Sequence, residues 1–252
     1  MSRKKALFVG CSFTADSGFT PENQPKYHWP HLFCQQTGYQ LINYAIGGMS
    51  NDEIFLRTIE AVTNSDYDLV VVMWSEVDRK WAYFSDNNID DFTILNKGDL
   101  KGFNSESAAA SDYTKLHYSY FNNRYVNIKQ WLQQCLALEK VLKHLKIPFI
   151  FAKGFENDIN KLNNVTYTNG FNNIGSLENL FDFDNRPDDY ILSKLKVLQM
   201  LVHAQDNTKW VNLIGPSFHS MKVDLADDNE HPGPNTNQDF LNILNNFYKT
   251  NV

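Results

Sequence analysis

The sequence predicts an α/β protein, a three-layer α/β/α sandwich around a five-stranded parallel sheet. Three observations carry this. Short apolar runs recur along the chain without the polar alternation of a half-exposed strand, as expected for strands covered on both faces. Helical periodicity fills the spaces between them, and a chain of 252 residues can bury one large core.

The strands are expected at Lys5–Gly10, Tyr39–Asn43, Asp68–Trp74, Pro148–Ala152 and Trp210–Ile214. The first helix, His28–Thr37, stops at Gly38. The second opens at Ser50, where Ser50 and Glu53 have capping-box spacing, and runs to about Val62. Asn127–Lys146 places Ile128, Trp131, Leu132, Cys135, Leu138, Val141, Leu142 and Leu145 on one face with a 3.6-residue period. Asp188–His203 and Gln238–Tyr248 complete the set. Two stretches break the rhythm, 76–120 and 154–188. Both are rich in Asn, Asp, Ser, Gly and aromatics and too long for simple connections, so they are expected to be insertions in a single domain spanning 1–252.

Composition narrows the function. The net charge is −6, with Lys and Arg scattered, which argues against nucleic-acid binding. No apolar run approaches the roughly 20 residues of a membrane span, and the run after Lys4-Lys5 is too short for a signal peptide. Cys11, Cys34 and Cys135 match neither a disulfide framework nor a zinc pattern. A cytoplasmic or virion-associated protein, without membrane partner, cofactor or metal, is expected. Asn outnumbers Leu, a bias compatible with an AT-rich genome such as a bacteriophage's.

Ligands of an open parallel sheet bind beyond the carboxyl ends of its strands. Here those positions hold Cys11, Ser12 and Thr14, then Gly47 and Gly48, then Ser75, Glu76, Asp78 and Arg79, then Lys153 and Gly154, and last the loop Asp227–Pro234. Ser12 follows a strand and a glycine. A serine becomes nucleophilic only when an imidazole takes its proton and a carboxylate holds that imidazole's tautomer. Asp228 and His231, three residues apart on a turn stiffened by Pro232 and Pro234, have the spacing for that pair.

Gly10-Cys11-Ser12-Phe13-Thr14 resembles the first motif of the SGNH/GDSL hydrolase superfamily, and Asp228-x-x-His231-Pro232 resembles its last. Asn43-Tyr44-Ala45-Ile46-Gly47-Gly48 resembles the second. The resemblance implies a flavodoxin-like sandwich and a serine ester hydrolase acting on a small acyl ester, such as the O-acetyl group of a carbohydrate. It assigns Ser12 as nucleophile, His231 as base and Asp228 as its orienting acid. The backbone N–H groups of Ser12 and Gly48, or Gly47 in a slipped register, would be the oxyanion donors. Trp74, Ser75, Asp78 and Arg79 are expected to line the substrate.

Two departures stand out. Cys11 replaces the family's Asp in the first motif, and Val77 stands where the third motif supplies an Asn oxyanion donor, whose loss costs on the order of 10²–10³ in rate. Val77 and the two insertions motivate a rival reading, a catalytically weakened glycan-binding or structural module of a virion or cell surface. Cys11 is a rival nucleophile, better read as a small core residue. His219, without an adjacent carboxylate, is a rival base. His28 and His31 lack a third ligand at a recognisable spacing, so packing or surface roles are expected for them.

Overall fold

The structure is a computed structural model that describes residues 3–83, 92–95, 116–117, 122–157, 159, 188–213 and 215–252. Much of both predicted insertions lies outside the described residues. The chain forms two compact units. The first comprises 1–76, 137–156 and 206–252; the second comprises 77–136 and 157–205.

The first unit holds the parallel sheet. Its strands are β1 (Lys5–Gly10), β2 (Gln40–Asn43), β3 (Leu69–Trp74) and, after the short β4 (Lys80–Tyr83) and β5 (Phe92–Leu95) of the second unit, β6 (Phe149–Lys153). The sheet order is β2-β1-β3-β6, all parallel, with Phe8 level with Asn43 and Val71, and Val71 with Ile150. The sheet therefore has four strands where five were expected. Trp210 makes a single parallel bridge to Phe151, in the position a fifth strand would take in the flavodoxin-like order. The strand fails there because Asn212 uses its side chain in place of backbone. Its Oδ1 accepts the Lys153 N–H at 2.7 Å and its Nδ2 donates to the Lys153 carbonyl at 3.2 Å. Ile214 lies outside the described residues.

Strand alternation divides the core into two faces. On one, Phe8 meets Trp29 and Phe33 of α2 (Trp29–Thr37), with ring centroids 5.4 and 6.0 Å apart. The one-turn α1 (Gln24–Tyr27) precedes α2, and Gly38, at φ +83°, ends it. Trp29 in turn packs on Phe240 of α6 (Pro234–Asn251) at 5.2 Å. On the other face Phe151 packs between Trp74, Phe149 and Trp210. Here α3 (Asn51–Asn64) adjoins β1 and β3, opened by the Ser50 cap on the Glu53 N–H. The last helix begins four residues earlier than the periodicity of 238–248 suggested, because Pro234 occupies its first turn, where a missing N–H costs nothing.

The second unit contains the antiparallel pair β4–β5, the start of α4 (Arg124–His144), and α5 (Asp188–His203). A part-buried ion pair there joins Arg124 to Asp78, whose other oxygen accepts from Asn127 at 2.9 Å. Among the described residues no helix is long and apolar enough to cross a membrane.

Candidate active site

The loop after β1 is shaped by its first residue. A Cβ on Gly10 would lie 2.4 Å from Thr14 Oγ1 and 2.9 Å from the Met73 carbonyl, so no side chain fits. The Thr14 and Ala15 N–H groups both donate to the Cys11 carbonyl at 2.9 Å, winding residues 11–15 into one helical turn. Ser12 lies half-buried at the start of this turn, and its hydroxyl and N–H bond to no other described residue. The neighbouring Cys11 is fully buried.

The second half of the site comes from the loop before α6. Asp228 Oδ2 lies 2.5 Å from His231 Nδ1, while Oδ1 accepts the N–H groups of Glu230 and His231 at 2.9 and 3.0 Å. Burial alone would raise the Asp228 carboxyl. The N–H groups of His231 and Glu230, with the imidazole itself, outweigh that and hold it down at about 2. With Nδ1–H donating to this carboxylate, Nε2 is left as a proton acceptor. The imidazole is not hydrogen-bonded to Ser12.

Contacts that sequence spacing did not reveal bind the two loops together. Asp227 accepts from the Thr20 N–H and from Asn23 Nδ2, each at 3.0 Å, and the Asp228 N–H donates to the Gly18 carbonyl at 3.3 Å. Gly18 has φ +88°, and a Cβ there would come within 2.6 Å of His231 Cβ. The Phe13 ring stands edge-on to the His231 ring, centroids 6.1 Å apart, and stacks on Phe155 and His219. His219 is thus a stacking partner, and burial lowers its pKa.

Gly47 adjoins Ser12: a Cβ on Gly47 would be 4.0 Å from Ser12 Cβ. The chain reaches this point by following β1, with the Tyr44 and Ile46 N–H groups donating to the carbonyls of Phe8 and Gly10. The Met49 N–H closes the turn on the Ile46 carbonyl, with Gly48 at φ +79°. The N–H groups of Gly47 and Gly48 donate to no described residue. Asn43 Nδ2 donates to the Thr14 carbonyl at 2.8 Å and so ties the end of β2 to the serine loop.

Trp74, Ser75, Asp78 and Arg79 are all buried. Trp74 is core. The Ser75 backbone pairs with the Asn51 side chain, whose Oδ1 accepts the Ser75 N–H at 2.7 Å and whose Nδ2 donates to the carbonyl at 3.2 Å. In the second unit Asp78 pairs with Arg124, while Arg79 and Val77 are buried. A position beyond a strand's end locates the backbone and leaves the side chain's direction open. Lys153, also buried, donates to the Gly215 carbonyl and to Glu156.

One further cluster was missed. Asp16 Oδ1 lies 3.2 Å from His28 Nδ1 and 3.0 Å from His31 Nε2. These two bonds hold the Asp16 carboxyl far below the usual carboxylate range, and burial lowers the pKa of His28. The two histidines were legible as a pair, but Asp16, twelve residues before His28, had no motif to mark it.

Neither a protein-family model nor a curated protein sequence matches the chain. Among solved structures it is similar to TesA, at 13% identity and a TM-score of 0.48, covering 99% of this chain and 100% of that one. It is also similar to the psychrotrophic esterase EstA from Pseudoalteromonas sp., at 12% identity and a TM-score of 0.45, over 98% and 97% of the two chains. A third is the acetyl xylan esterase AlAXEase, at 15% identity and a TM-score of 0.42, over 96% and 98%.

Proposed function

We propose that the chain is a serine ester hydrolase of the SGNH type, with Ser12 as nucleophile, His231 as general base and Asp228 as its orienting carboxylate. The observation that carries this reading is the Asp228–His231 pair, held by Asp227 and Gly18 against the loop that begins at Ser12. His231 Nε2 takes the Ser12 proton as Oγ attacks the ester carbonyl. The N–H groups of Ser12 and of Gly48 or Gly47, which have no acceptor among the described residues, receive the developing oxyanion. The alcohol leaves with the proton from His231, and a water activated by the same imidazole releases the acid. A small acyl ester, with the O-acetyl group of a carbohydrate as the favoured case, is the proposed substrate.

The direct test is covalent labelling by a fluorophosphonate, read by intact mass together with aryl acetate turnover. One adduct per chain is expected, located on Ser12, with labelling and turnover both down by roughly 10⁴-fold or more in Ser12→Ala and His231→Ala. Wild-type labelling of Ser12→Ala would overturn the assignment. Absent turnover, with glycan binding indifferent to Ser12→Ala, would favour a binding module instead.

A further inference from the structure

We propose that Asp16, His28 and His31 form a binding site for one first-row divalent transition metal ion, zinc being the ion whose preferences the site fits. One ligand atom from each residue lies within 4.8 Å of the others. A tetrahedral zinc with bonds of 2.0–2.1 Å requires ligand atoms about 3.3 Å apart. Asp16 Oδ1 already stands 3.2 Å from His28 Nδ1 and 3.0 Å from His31 Nε2. Two imidazoles and a carboxylate suit zinc and its neighbours rather than magnesium or calcium, which take oxygen ligands.

The environment of His28 is the second, independent observation. The His28 side chain is 3% exposed, and its far nitrogen, Nε2, lies 3.4 Å from the Phe13 carbonyl. A metal-ligating histidine characteristically donates its other N–H to such a carbonyl, which aims the remaining lone pair at the ion. A neutral imidazole carries one proton, yet His28 faces two acceptors, the Phe13 carbonyl and Asp16. With the proton on Nε2, the Nδ1 lone pair confronts a carboxylate oxygen at 3.2 Å, and a cation between them resolves the conflict. With the proton on Nδ1 instead, the Nε2 lone pair faces the Phe13 carbonyl oxygen at 3.4 Å. Asp16 is 41% exposed in its side chain, which leaves the fourth coordination position open to water. Asp16 belongs to the loop that begins at Ser12, and both histidines belong to the start of α2. A bound ion would therefore clamp that loop to the helix. The assignment is independent of the ester hydrolase reading.

The test is titration of chelator-treated full-length protein with zinc chloride by calorimetry, and with cobalt chloride by visible absorption. One ion per chain is expected, with tetrahedral cobalt bands and a rise in melting temperature on adding zinc. Binding should weaken at least tenfold, and the rise in melting temperature should vanish, in His31→Ala and in Asp16→Asn. Both substitutions alter partly exposed side chains, and each variant's melting temperature in chelator reports its folding. His231→Ala should bind zinc as the wild type does. No binding, or binding undiminished in the first two variants, would overturn the proposal and leave Asp16 as a hydrogen-bonded bridge between two histidines.

Discussion

Replacing Gly18 by alanine separates the position of His231 from the stability of the fold. A Cβ at residue 18 would lie 2.6 Å from His231 Cβ, 3.1 Å from its Cγ and 3.3 Å from Ala226 Cβ. Ordinary contact begins near 3.4 Å, so His231 must retreat by about 0.8 Å, and Ala226 hinders any yielding of the loop to that side. Misplacing a catalytic group by about 1 Å costs on the order of 10²-fold in rate. The backbone adds its own penalty, because φ at Gly18 is +88°, where a side chain costs roughly 1–2 kcal/mol. Gly38 supplies the control, since its φ is +83° and an added Cβ would meet nothing within 4 Å. Gly38→Ala should lose about the same stability, a fall in melting temperature of roughly 2–8 °C, and keep its activity. Gly18→Ala should show a similar fall and lose about 10²-fold in kcat/KM for an aryl acetate. Equal activities in the two variants would refute the claim that Gly18 sets the position of His231, the proposed base.

Trp29→Phe removes the 2.8 Å bond from the indole N–H to the Phe13 carbonyl and should cost about 1–2 kcal/mol in urea unfolding, whereas Phe240→Ala, which empties a fully buried site between Trp29 and Phe218, should cost about 3–5 kcal/mol. Burial pushes the Cys34 thiol up to about 12, and Cys11 and Cys135 are fully enclosed; a thiol reagent at pH 8 should modify none of the three in the native protein and all three after unfolding. Side-chain bonds from Lys143 and Thr208 hold the Asp206 carboxyl down at about 2, so its stabilisation is complete above the ordinary carboxylate range near 4 and is lost as pH falls toward 2. Lys143 is half exposed, which limits the effect to about 1 kcal/mol or less. Thermal melts should show Asp206→Asn losing less stability between pH 7 and pH 2.5 than the wild type.

Local signals read well. The apolar runs located β1, β3 and β6 to within a residue, and Ser50 and Gly38 marked helix ends through their own chemistry. Asp228 and His231 were legible because three residues on a turn suffice to join them. What escaped depends on distant partners. Nothing around Asn212 announces that its amide will bond the Lys153 backbone and cut the last strand to a bridge. Gly18, Phe13 and Asp227 acquire their roles only when residues some two hundred positions away arrive beside them. Burial at Trp74 and Asp78 was not legible either, for a place beyond the end of β3 locates the backbone and leaves open that these side chains turn into the packing.

The bonds from Thr20 and Asn23 to Asp227 span 207 and 204 positions of the chain. Closing a segment of that size adds only about 0.6 kcal/mol over one half as long, but the entropy is spent before the contacts repay it. Helices such as α3 can form early from neighbours alone, whereas the pairing of the serine and histidine loops needs two distant parts of the chain to meet. In refolding from urea, helical signal should therefore return ahead of catalytic turnover, and the interval between them would time the meeting of the two loops.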